Sequence, residues 1–246
     1  MKDFDAMPAE PGLARCLPMD TVSSVVPQPV VTAAGPSVRE AYSRWAARYD
    51  HDSNRTRDLD RHVTLQLLSQ QRFGRILELG CGTGKNTALL ATIGDQVVAL
   101  DFSDGMLERA RAKVDAGHVV FAQADLTEPW PATATALQAD LVVGNLVLEH
   151  IARLAPVFAQ AAQNLRPGGK LLICELHPFR QYQGTQARFT DATGNPVLIP
   201  AHVHHVSEYL EAAQAAGLVL QQLNEWWHDD DAGLPPRLLS LVFSRP

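Results

Sequence analysis

From Ser37 onward the chain carries two kinds of hydrophobic pattern. Val38, Ala41, Tyr42, Trp45 and Tyr49 recur at helical spacing behind Ser37, a residue type that caps helix N-termini, and predict a helix running to about Tyr49. Leu59, Val63, Leu67 and Leu68 mark a second helix over about 57–71. Beyond Gly74 the texture changes. Short apolar runs predict strands at 75–79, 96–101, 119–123, 141–143 and 170–176. Helices are expected between them at 85–93, from a Ser103 cap to about 114, and at 154–165, where Pro156 falls in the first turn and sacrifices no hydrogen bond. Arg166-Pro167-Gly168-Gly169 reads as a turn. A helix at 207–216, stopped by Gly217, leads to strands at 218–224 and 238–244, the latter expected to insert antiparallel.

Strands that are apolar and β-branched throughout, alternating with helices, imply a mostly parallel α/β sheet buried on both faces. Residues 1–36 hold Pro8, Pro11, Pro18, Pro27, Pro29 and Pro36 without any sustained period, and are expected to be a flexible arm. The domain proper is expected over 37–246. It includes the N-terminal helices (37–73) and an insertion at 178–206, too long for a plain connection and expected to act as a lid with a small hairpin about Thr193-Gly194-Asn195.

Composition narrows the classes. Of 246 residues, 46% are hydrophobic, enough for a core, and no apolar run approaches the roughly 20 residues that span a bilayer. A formal charge of −6 argues against a sequence-independent grip on nucleic acid, which needs a basic face. Neither a nucleic-acid nor a membrane partner is expected, and a homodimer is left open. Cys16, Cys81 and Cys174 fit no zinc or disulfide spacing, which suits a reducing compartment, and the acidic N-terminus is unlike a signal peptide; a cytoplasmic protein is expected.

The sharpest motif is Glu78-Leu79-Gly80-Cys81-Gly82-Thr83-Gly84, at the first strand-to-helix turn. Glycines at alternate positions let the backbone turn tightly and let a ligand lie against it. Lys85 stands where a dinucleotide fingerprint needs its third glycine, and Leu79 and Asn86 break the P-loop pattern. Asp101 ends the second strand, where a carboxylate can accept both ribose hydroxyls of a nucleoside. Glu78 beside the loop would repel a pyrophosphate and suit a cationic centre such as an ammonium or sulfonium. Phe102 and Met106 could form an apolar slot for adenine, and Asp125 could accept from its exocyclic amine.

With these features the chain resembles the class I S-adenosylmethionine-dependent methyltransferases, in particular their small-molecule branch. The resemblance runs through ELGCGTG, LDFSDGML, FAQADL, GNLVLEHI and LRPGGKLLI, in the family's order across about residues 75–173. It implies a Rossmann-like seven-stranded sheet ordered 3-2-1-4-5-7-6 with strand 7 antiparallel, helices on both faces, and S-adenosyl-L-methionine as cofactor. It further implies that Gly80, Cys81 and Gly82 line the cofactor, that Asp101 holds the ribose, and that Phe102 and Met106 flank adenine. Asp125 and Leu126 would border the base, Asn145 and Leu146 the methionine portion. Tyr42 and Tyr49, in the helix before the domain, are candidates for closing over the methionyl end, and for Tyr49 core packing is equally open.

Methyl transfer is an in-line displacement that needs a base only when the acceptor must lose a proton. His150, five residues after Asn145, and His177, at the end of strand five, are the candidate catalytic residues, since both strand ends should face one crevice. His150 could instead be a structural helix-start residue. His202, His204 and His205 have no partner at a metal-ligand spacing, so surface or pocket histidines are expected there and no metal. The function expected is methyl transfer to oxygen or nitrogen of a small-molecule acceptor. The alternatives are a cofactor-binding cyclase or regulatory binder on the same fold, and, third, a nicotinamide oxidoreductase.

Overall fold

The computed structural model describes residues 36–191 and 193–246; the Pro-rich segment read as an arm lies, but for Pro36, outside the described residues, as does Cys16. The chain enters through α1 (Val38–Trp45) and α2 (Arg55–Leu68), then alternates β1 (Phe73–Leu79), α3 (Thr87–Ile93), β2 (Gly94–Asp101), α4 (Asp104–Lys113) and β3 (Val119–Gln123). A short α5 (Ala132–Thr135), β4 (Ala139–Asn145), α6 (Leu154–Asn164) and β5 (Leu165–Leu176) follow. The insertion contains α7 (Pro178–Tyr182) and a hairpin of β6 (Arg188–Thr190) and β7 (Pro196–Leu198); α8 (Val206–Ala215), β8 (Val219–Trp226) and β9 (Leu238–Ser244) close the chain.

The main sheet has seven strands in the order β3-β2-β1-β4-β5-β9-β8, with β9 antiparallel to both neighbours. Counting β8 and β9 as the sixth and seventh strands, this is the expected 3-2-1-4-5-7-6. Because side chains alternate across a strand, neighbouring residues bury on opposite faces. Leu77, Val98 and Val142 enter a core roofed by α6 and α8, whereas Ile76, Val97 and Leu141 meet Leu68 of α2 with Leu90 and Ile93 of α3. Both faces are covered, which is why these strands carry no polar alternation.

Local chemistry sets the ends of the helices. Ser37 and Glu40 form a reciprocal capping box on α1, Asn54 accepts from the Arg57 N–H to start α2, and Ser103 caps α4. Three expectations shift. The first helix stops at Trp45, and residues 46–50 form turns that bring Tyr49 and Asp50 back toward the sheet. Asn86 spends its side chain on Asp60 instead of capping α3, which begins at Thr87. The Arg166–Gly169 turn is a bulged start of β5, since Leu165 already pairs with Ala139 before regular pairing resumes at Lys170.

The strand order places β1 between β2 and β4, which run to opposite halves of the sheet, and open α/β sheets bind ligands outside the carboxyl ends at such a switch point. Register brings Leu79 level with Leu100 and Gly144, so the residues that follow (Gly80, Asp101 and Asn145) share one edge. Over that edge α1 meets the insertion hairpin. Trp45 stacks on Phe189 of β6 at 5.6 Å, with Ala41 and Ile199 completing the contact.

Candidate active site

Two adjoining cavities open above the carboxyl edge. The first, a crevice along the ends of β1, β2, β3 and β4, is lined by Tyr49, Glu78, Gly80, Cys81, Gly82, Asp101, Phe102, Met106, Asp125, Leu126, Asn145 and Leu146. These are all twelve residues expected at the cofactor, and His150 and Tyr42 join them. Gly80 and Gly82 have φ of +70° and +52°, a region that only glycine adopts without strain. A Cβ on Gly80 would lie 2.4 Å from Val147, whereas one on Gly82 would meet nothing but the open crevice. The backbone is thus bare where a ligand would lie.

Asp101 is buried, its Oδ2 accepting the Gly82 N–H and its Oδ1 the Ser103 N–H, both at 2.9 Å. Burial raises its pKa against the pull of these bonds. Glu78 behaves differently from the sequence expectation of a fixed negative charge. Buried on the α3 side of β1, it accepts from the Thr87 hydroxyl at 2.5 Å, and desolvation pushes its pKa up to about 8. Burial thus works against the charged form of both acids of the loop, opposed at Asp101 by the backbone N–H groups it accepts from, and a cation beside either would favour its ionised form. Phe102 lies under the Arg39 guanidinium, which is also 3.7 Å from Asp125, and Met106 is fully covered. Cys81 is a buried free thiol whose pKa desolvation raises, so it is inert wall.

Sequence reasoning missed the contribution of α2. Arg57, Asp60 and Thr64 are buried along one stripe of that helix. Asp60 accepts from Asn145 Nδ2 at 2.5 Å and from Asn86 Nδ2 at 2.8 Å, which leaves the buried Oδ1 atoms of both asparagines without partners. Arg57 donates to the carbonyls of Tyr49 and Asp52 and lies 3.9 Å over the Tyr49 ring. Polar residues at i, i+3 and i+7 on a face flanked by Leu59 and Val63 were the available signal. Asp50, just after Tyr49, accepts from Thr83 of the glycine loop and pairs with Lys113 of α4.

The second cavity, about 560 Å³, falls in the size range of small-molecule sites. It lies beneath the insertion and shares Tyr42, Tyr49, Arg57 and Leu146 with the crevice. Tyr49 thus serves both readings, lining the cavities while packing edge-on against Trp45 at 4.6 Å. Leu146, at this junction, has φ +50°, an uncommon conformation for a side-chain-bearing residue. Its N–H donates to the Cys174 carbonyl, and Glu175 Oε1 then takes the N–H groups of Val147 and Leu148.

The two candidate histidines separate. His150 Nδ1 meets the Pro200 carbonyl at 2.8 Å and so must carry the proton, leaving Nε2 to accept from the Tyr42 hydroxyl at 2.8 Å. Glu149 Oε1 is 3.7 Å from that Nε2. His177 lines neither cavity, against expectation: its Nδ1 caps α7 by accepting the Phe179 N–H, and its Nε2 is 3.0 Å from Glu225. A proline after a strand end fixed a helix start here instead of a crevice residue. His204, expected at a surface or pocket, is buried and bonded to the Ile151 carbonyl.

A family model described as methyltransferase domain matches residues 49–230, and the chain belongs to that family. It is 33% identical over 221 residues to an uncharacterized methyltransferase of Emericella nidulans, covering 75% of this chain and 77% of that protein. It is 35% identical over 141 residues to a malonyl-[acyl-carrier protein] O-methyltransferase of Enterobacter lignolyticus, covering 57% of this chain and 53% of the relative. Its fold is that of the N-methyltransferase NodS of Bradyrhizobium japonicum, solved with S-adenosyl-L-homocysteine, at TM-score 0.66 and 18% identity over 86% of this chain and all of that one. The protein is an S-adenosyl-L-methionine-dependent methyltransferase, and the bare glycine loop and the unpartnered Asn86 and Asn145 oxygens fit that cofactor. Among the described residues no helix is long and apolar enough to cross a membrane.

Proposed function

We propose that the protein methylates oxygen or nitrogen of a small-molecule acceptor seated in the second cavity. The observation that carries this reading is the junction. The crevice holding Asp101 and the second cavity adjoin, with Tyr42, Tyr49, Arg57 and Leu146 in the walls of both, which suits an in-line transfer between two ligands. In this reading Asp101 accepts from the ribose hydroxyls, Phe102 and Met106 flank adenine, and Asp125 with Leu126 borders the base. Asp60 and the free oxygens of Asn86 and Asn145 face the methionyl ammonium. When bound, the cofactor supplies a methyl group on cationic sulfur; the acceptor lone pair bonds to that carbon as the carbon–sulfur bond breaks and its electron pair stays on sulfur.

Tyr42 and Tyr49 exclude water from the junction, and burial keeps both phenols protonated. Where the acceptor must shed a proton, Tyr42 relays it to His150 Nε2, and the neighbouring Glu149 stabilises the imidazolium that forms. O-methyltransferases and an N-methyltransferase occur among the similar proteins, which supports either acceptor atom. Release of S-adenosylhomocysteine from the purified protein with a panel of hydroxyl, amine and carboxylate acceptors tests the proposal. Turnover with one of them supports it, whereas tight cofactor binding without turnover on any would favour a cofactor-dependent binder.

A further inference from the structure

Taking the methyltransferase reading of the crevice as given, we propose that the second cavity binds an anionic acceptor, a small molecule whose carboxylate or phosphate is held by Arg188 and Arg237. Four arginines line this cavity, Arg55, Arg57, Arg188 and Arg237, against one carboxylate, Glu149. The counter-charges behind the wall do not balance them. Arg237 holds both oxygens of Asp231, but Arg180 Nη2 is 3.0 Å from the same carboxylate, and that buried nitrogen has no hydrogen-bond partner. Two guanidinium groups therefore share one counter-ion. Arg55 pairs with Asp230, whereas Arg188 on the hairpin makes no ion pair among the described residues.

Arg57 is 8% exposed, bonds only backbone carbonyls, and keeps a buried Nε without a partner. A charge withdrawn from water without a counter-ion is costly, and a bound anion offsets that cost. The cofactor carries one carboxylate of its own, which can reach Arg57 because that residue borders both cavities. Arg188 and Arg237 border only the second; Arg188 has no ion pair among the described residues and Arg237 shares Asp231 with Arg180, so a surplus of positive charge there is left for the acceptor. Planar guanidinium groups match carboxylate and phosphate oxygens in pairs, so the cavity favours an oxyanion over a neutral polar group of equal size.

Calorimetric titration of the full chain, saturated with S-adenosylhomocysteine, against benzoate, benzamide and inorganic phosphate tests this. An oxyanion is expected to bind, with benzamide at least tenfold weaker than benzoate or phosphate, and added salt is expected to weaken the anion. Preference for phosphate would assign a phosphorylated acceptor, and preference for benzoate a carboxylate. Arg188→Gln, on an exposed hairpin position, should weaken the anion at least threefold and leave the affinity for S-adenosylhomocysteine unchanged. Equal binding of benzoate and benzamide, no binding of either anion, or an unaffected Arg188→Gln variant would overturn the proposal. Failure of S-adenosylhomocysteine itself to bind would instead remove the crevice reading on which it rests.

Discussion

Replacing Asp101 with Asn changes one atom and should separate binding from folding. A carboxylate offers about four lone-pair sites, and Gly82 and Ser103 occupy two of them, one on each oxygen. Two remain for ribose hydroxyls. In Asp101→Asn the amide nitrogen must face one of these backbone donors and can no longer accept, and the remaining oxygen carries no full charge. Hydrogen bonds to charged groups contribute about 1.5–3 kcal/mol each, so losing one and weakening the other should cost about 3 kcal/mol of binding, roughly a hundredfold in Kd. Burial raises the Asp101 pKa, and the form that accepts hydroxyls is the carboxylate. Wild-type affinity should therefore fall as pH drops through that raised pKa, while the Asn variant should be flat. Calorimetry with S-adenosylhomocysteine between about pH 5 and pH 8 reads both effects, and a thermal melt records the cost to the fold. An Asn variant that melts early but binds within about threefold of wild type would refute the reasoning and leave Asp101 as a tie between the glycine loop and α4.

Glu175→Gln should flatten the pH dependence of stability. Burial pushes the Glu175 pKa from 4.5 up to about 8, so across that window the native state holds a proton the unfolded chain has released, and stability falls as pH rises. Chemical denaturation should show the variant gaining on wild type toward pH 8, by on the order of a few kcal/mol, with a residual slope from Glu78. His177→Ala should lower the melting temperature by a few degrees, as loss of a helix cap costs about 1 kcal/mol, yet leave turnover per folded molecule intact; a selective loss of turnover would return His177 to the site. Tyr42→Phe should cut turnover about tenfold or more on acceptors that shed a proton, at unchanged S-adenosylhomocysteine affinity, whereas equal turnover in steady-state assays would exclude the relay.

What was legible in the sequence divides along physical lines. The strand–helix alternation and the glycine loop with Asp101 were readable because they rest on local signals, glycines where the backbone turns with positive φ and a carboxylate at the next strand end, whereas the strand order and the Asn145 side of the crevice came through the family resemblance. Asp60 and Arg57 were not readable, because a helix written as apolar stripe and polar surface hides polar groups on the stripe itself. Whether they are buried depends on where α2 lands, which is a tertiary matter. His177 misled for a related reason. A strand end points a residue toward the crevice only if the chain continues over it, and Pro178 turned the chain into a helix whose first N–H claimed the imidazole. The second cavity drew residues from α1, α2, the insertion and Arg237 just before β9, and no local pattern announces such an assembly.

The position of the cofactor product bears most directly on the whole account. A crystal structure of the protein grown with S-adenosylhomocysteine should show the ribose hydroxyls on Asp101, adenine between Phe102 and Met106, and the sulfur aimed through the Tyr42–Leu146 junction into the arginine-lined cavity. Density for that molecule elsewhere, or in the crevice with its sulfur turned away from the junction, would contradict it.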